Sequence, residues 1–204
     1  MNTSRRQWIL GTPLLVGAAV VGGLMPEAVA APCPTDGTPE QFTPKKPKDP
    51  NPLEGELEKY PTCPYCGMNR REHHASRHLI HFEDDLVDGV CSLHCAAISL
   101  AINLDRGPKA IHVADFGSKT EPRPMVESGK AVYLLGSTIK TAMTTRGKPG
   151  FADQGVAEGM RTEQGGALVD FEAALTAAHA DMAKDTVAIR KRRLERRQKA
   201  GQGG

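Results

Sequence analysis

Two pairs of cysteines constrain this chain more than anything else in it. Cys63 and Cys66 are separated by two residues and Cys91 and Cys95 by three, and all four fall within 33 residues of a 204-residue chain. The first pair closes a tight loop, with Gly67 free to take a backbone turn that other residues resist. The second pair has the i, i+4 spacing that puts both sulfurs on one face of a helix, pointing toward its N-terminus. The positive end of the helix dipole favours the thiolate, the form that binds metal. Three readings of Cys63-Pro64-Tyr65-Cys66-Gly67-Met68 follow: a disulfide, a closed zinc knuckle, or an open site for a soft ion. Zn(II) takes four closed N/S ligands, which Cys63, Cys66, Cys91 and Cys95 could supply. Cu(I) accepts thiolate and thioether at low coordination number, and a bent loop can turn Cys66 and Met68 toward one ion.

The segments around the cysteines set the expected fold. Residues 77–83 mix apolar and polar positions with β-branched and aromatic content, as strands do. In that strand His78 shares a face with Ile80 and Phe82, and His81 shares one with Leu79. Asp84-Asp85 makes a turn, and residues 86–90 return as a second strand. From 92 to 103 the apolar spacing is helical, with Ser92 as N-cap and Gly107-Pro108 as terminator. Residues 110–114 form a third strand. A similar order recurs, with strands at 131–136 and 141–145, a helix at 151–161 and a strand at 166–171. The expectation is an α+β chain of two small ββαβ units. A final helix over 171–199 packs through Leu175 and Ala178 and then becomes too charged to bury.

The ends read differently. Arg5-Arg6, an apolar run from 12 to 24 and Ala28-Val29-Ala30 give residues 1–30 the layout of an export signal of the twin-arginine type, with cleavage after Ala30. Cys33 follows, but Pro32 stands where lipidation signals carry a small residue, which argues against a lipid anchor there. Residues 31–60, with Pro44, Pro47, Pro50 and Pro52, read as a disordered Pro/Lys-rich linker. That leaves 61–175 as the metal-binding domain and 176–204 as a charged helix and tail. Residues 184–199 carry eight Lys and Arg against two acids, whereas 31–183 carry sixteen basic against twenty-one acidic residues. An exported, mildly acidic body is a poor nucleic-acid binder. The basic tail is expected to meet anionic lipid or an acidic protein surface, or simply to be solvated.

Cys-Pro-Tyr-Cys-Gly-Met followed by Cys-Ser-Leu-His-Cys resembles the heavy-metal modules called YHS or TRASH domains. A longer resemblance, from Cys63 to about Leu175, is to the nitrous-oxide-reductase accessory proteins of the NosL family. It runs through Cys66-Gly67-Met68, Val90-Cys91-Ser92, Val132-Tyr133-Leu134-Leu135-Gly136-Ser137, Ala142-Met143, Gly150-Phe151-Ala152 and Gly165-Gly166-Ala167-Leu168, in the family's order. The resemblance implies a non-catalytic periplasmic metallochaperone that binds Cu(I), helps supply nitrous oxide reductase, and has two ββαβ units as in an organomercury lyase. His94 and Cys95 beside Cys91 are a fuller donor set than that family requires. The expected metal ligands are Cys63, Cys66, Met68, Cys91 and Cys95, with His94, His78 and Met143 as further candidates. The expected partner is a copper-receiving enzyme or a copper transporter. The competing readings are a structural four-cysteine zinc module for protein interaction, a heavy-metal sensor, and a thiol–disulfide enzyme using Cys63 and Cys66.

Overall fold

The computed structural model describes residue 38 and residues 42–201. The segment expected as an export signal, and Cys33, lie outside the described residues. The elements are α1 (Glu56–Lys59), β1 (His78–Phe82), β2 (Val87–Val90), α2 (Leu93–Ile102), β3 (Pro108–Ala114), β4 (Met125–Glu127), β5 (Val132–Leu135), β6 (Gly150–Phe151), α3 (Gln154–Gln164), β7 (Ala167–Val169) and α4 (Phe171–Gly201).

Two antiparallel sheets carry the same topology. One has the order β2-β1-β3-β4 and the other β6-β5-β7. In each, the first strand of a ββαβ unit lies between its hairpin partner and the strand that follows the helix. The duplication expected from the sequence is therefore present, with β4 as an added edge strand. The second hairpin forms elsewhere than expected. Residues 141–145 are not a strand, and β5 pairs with Gly150–Phe151 instead. Met143 has a φ of 64° and the Thr145 amide bonds to Asp185 at 2.9 Å, which pulls this stretch out of sheet geometry toward α4. At Gly150 a Cβ would lie 2.9 Å from a Val113 methyl, so a glycine lets β6 approach β3 closely. The two units are joined there by a parallel bridge from Asp115 to Gly150.

Period-2 alternation sorts the central strand. His78, Ile80 and Phe82 face inward with Val90 and Val113, against α2 and the first turns of α4. Leu79 faces outward with Val87 and Tyr60. α3 begins three residues later than expected, because Asp153 caps it by accepting from the Val156 amide at 2.8 Å. α4 leaves the body after about Ile189, and residues 190–201 are all exposed. Among the described residues no helix is long and apolar enough to cross a membrane.

Candidate metal centre

The knuckle is held by its own backbone. The Cys63 amide donates to the Met68 carbonyl and the Gly67 amide to the Cys63 carbonyl, both at 2.9 Å, and the Arg70 amide donates to the Pro61 carbonyl at 2.8 Å. Gly67 sits at φ 76° with open space around its Cα, the left-handed geometry that favours glycine. Tyr65, between the two cysteines, donates its hydroxyl to Asp88 of β2, and the Ser99 hydroxyl of α2 donates to the same carboxylate at 2.6 Å. One buried carboxylate thus ties knuckle, sheet and helix together. Burial raises the pKa of Asp88, and the two hydroxyls partly offset that.

A second buried carboxylate fixes the knuckle from behind. Glu56 of α1 meets Arg70 at 2.7 Å and Arg77 at 2.7 Å. Arg70 is wholly buried and donates to the carbonyls of Tyr60 at 2.6 Å, His78 at 3.2 Å and Val90 at 3.3 Å. Gly89 makes room for it, because a Cβ there would meet Tyr60 and Arg70 at 2.6–2.8 Å. Residues 49–60 therefore pack on the sheet through Asp49, Glu56, Leu57 and Tyr60.

The start of α2 brings the other two thiols to the knuckle. The metal-binding atoms of Cys63, Cys66, Cys91 and Cys95 all lie within 4.8 Å of one another. Cys66 Sγ is 3.4 Å from Cys91 Sγ, and Cys91 Sγ is 3.7 Å from Cys95 Sγ. A tetrahedral ion with metal–sulfur bonds of about 2.3 Å sets sulfurs about 3.8 Å apart, so the cluster has the size of a four-thiolate site. All four are free thiols; Cys63, Cys91 and Cys95 are buried and Cys66 is partly exposed.

The thiols ionise as a set. Cys63 is held far below an ordinary thiol because Cys66, then Cys91 and Cys95, hydrogen-bond to its sulfur. Cys91 and Cys95 are pushed up, first by their bonds to Cys63 and Cys66, which ionisation would forfeit. Cys66 is lowered too, against its bond to Cys63, by its bonds to Cys91 and Cys95, so the knuckle thiols give up protons before the two on α2. A cation among the sulfurs supplies the charge that lets further thiolates form.

The remaining expected ligands lie around this group. Met68 and Met143 are half-buried against the apolar cluster that contains the four cysteines. His94 is buried with its Nδ1 3.5 Å from Asp185 of α4, and burial lowers its pKa against the pull of that carboxylate. His78 is in the core, Nδ1 at 3.1 Å from the Ser76 carbonyl and Nε2 at 3.3 Å from the Tyr133 hydroxyl. Both its nitrogens have protein partners, and neither His78 nor His94 falls in the four-sulfur group.

The family model described as NosL matches residues 54–178. Among solved structures, the copper chaperone NosL from Shewanella denitrificans is similar at 20% identity and a TM-score of 0.49, covering 62% of this chain and 95% of that one. No curated protein matches the chain.

Proposed function

Since the chain belongs to the NosL family, we propose that it is a Cu(I)-binding chaperone of the cell envelope, without catalytic turnover, that takes the ion as cargo and passes it to a copper-receiving enzyme such as nitrous oxide reductase or to a transporter. The observation that carries this reading is the gathering of four thiols into one group with a single partly exposed member, Cys66, with Met68 two residues on packed against the same cluster. Soft thiolate and thioether donors suit Cu(I). A cargo site also needs one accessible ligand through which a recipient can exchange, and Cys66 supplies it. Met143, half-buried on the loop that α4 holds, is a further thioether for the same ion. His94 orients α2 through Asp185 rather than binding the metal.

The second reading, a structural zinc knuckle, is favoured by the burial of the other three thiols and by the tetrahedral size of the cluster. Metal analysis after anaerobic purification, followed by Cu(I) titration against a soft chelator, separates the two. Cargo copper is expected at about one Cu(I) per chain, with Cys66→Ser and Met68→Leu each weakening it at least about tenfold, or ~1.4 kcal/mol. Tightly held zinc that copper cannot displace, or affinity unchanged in both variants, would refute the assignment.

A further inference from the structure

The outward face of the four-stranded sheet carries two histidines that the thiol site does not use. His81 pairs with Ala110 and Leu79 with His112. The two histidines therefore share a face and stand as diagonal cross-strand neighbours, whose Cα atoms are about 7–8 Å apart. Two imidazoles close that span when they share one ion. Residues 50–54 run over the pair, and a pocket of about 260 Å³ lies between this segment, His81 and His112. Glu54 is part of its lining.

Each ring is prepared for a ligand. His81 is buried, 5% exposed, and its Nε2 lies 2.9 Å from the Asp85 carboxylate, which Lys109 holds in turn at 3.1 Å. A carboxylate on one ring nitrogen fixes the tautomer and leaves the other, here Nδ1, with its lone pair free for a metal. His112 Nδ1 is a buried nitrogen with no hydrogen-bond partner among the described residues. Buried nitrogens of that kind are uncommon and ask for an explanation. Glu127 lies directly across from His112 on β4 and puts a negative charge beside the pair, with its own partner in Lys130 at 2.6 Å.

We propose that His81 and His112 form a second metal site, on the opposite sheet face from the thiols, that takes a borderline divalent cation of the Cu(II) type through the two imidazoles. Imidazole suits Cu(II), whereas thiolate and thioether suit Cu(I). The two faces of one sheet then hold the two oxidation states of the same element.

Electron paramagnetic resonance of the full chain tests this, with the thiols first filled anaerobically by Cu(I) and one equivalent of Cu(II) then added. The expected result is one Cu(II) species with nitrogen superhyperfine splitting. His112→Gln should weaken that binding at least tenfold and leave Cu(I) uptake and the circular dichroism spectrum unchanged. An identical spectrum from a His81→Gln/His112→Gln variant would overturn the proposal, since Cu(II) would then sit on other histidines or on the chain terminus. If the double variant does not fold, His112→Gln alone decides. If the thiols take no Cu(I), the same titration on zinc-filled protein gives the answer, so this site stands or falls apart from the thiol reading.

Discussion

Glu56 is the residue on which the knuckle's rigidity turns. It is paired with two buried guanidiniums at once, and removing its charge leaves both without a counter-ion in a buried setting. Glu56→Gln is expected to destabilise the fold by about 3–5 kcal/mol, measured by urea unfolding. A loss below about 1 kcal/mol would mean that solvent reaches the triad. His78 gives a pH dependence with a definite sign. Burial lowers its pKa from 6.5 to about 4, against the Ser76 carbonyl bond that favours the charged ring. The unfolded chain therefore binds a proton that the folded chain refuses between about pH 6.5 and 4. Stability is fully present above this window and falls as pH drops through it, by on the order of 3 kcal/mol from this residue. Unfolding midpoints at a series of pH values should show the decline, and His78→Gln should flatten it. At this scale the sequence was half legible. The two cysteine spacings pointed to a common site, and the alternation in β1 put His78 and His81 on opposite faces, as the structure has them. Nothing local pairs Glu56 with Arg70 and Arg77, because that partnership is made by the return of the chain across the sheet. Arg70 sits in a run of polar residues, 69–72, yet it heads the fully buried large side chains among the described residues.

Among the elements, α4 reaches furthest into the site's surroundings. Asp185 accepts from the amide and hydroxyl of Thr145 at 2.9 and 3.1 Å and faces His94. One turn earlier Asp181 holds Lys148 and Arg146, each at 2.8 Å. The loop carrying Met143 is thus fastened to a helix that also fastens α2. Burial opposes the charge on Asp185, but the Thr145 amide and the hydroxyls of Thr144 and Thr145 keep its carboxyl below the usual range. Asp185→Ala should free residues 143–148 and cost about 1–3 kcal/mol. Hydrogen exchange is the measurement, with faster exchange expected at Thr145 and no change in β1. This loop is also where the strand expected at 141–145 failed. Its Thr-rich pattern suits a strand, but the bonds to α4 outcompete a ladder, and the hairpin closes at Gly150–Phe151. A propensity within five residues could not reveal a partner forty residues away.

For the whole molecule, the repeated ββαβ order was readable because each unit's pattern is local, with helix and strand periods separated by turn residues. The outer cover was not readable. Residues 49–60 offer little apolar content, and they stay down through Leu57, Tyr60 and the buried ion triad. The charge of α4 beyond residue 189 was legible, and its exposure follows from it. The unequal burial of the four sulfurs carries one more consequence, in reaction order rather than affinity. A thiol-modifying reagent meets Cys66 at the surface, whereas Cys63, Cys91 and Cys95 become reachable only when the knuckle parts from α2. With limiting iodoacetamide on the reduced, metal-free chain, peptide mapping should find Cys66 carrying the first adduct of these four. The other three should follow together, at the pace of local opening and faster in Glu56→Gln. The protein would thereby report, through the timing of one chemical modification, how often its closed side comes apart.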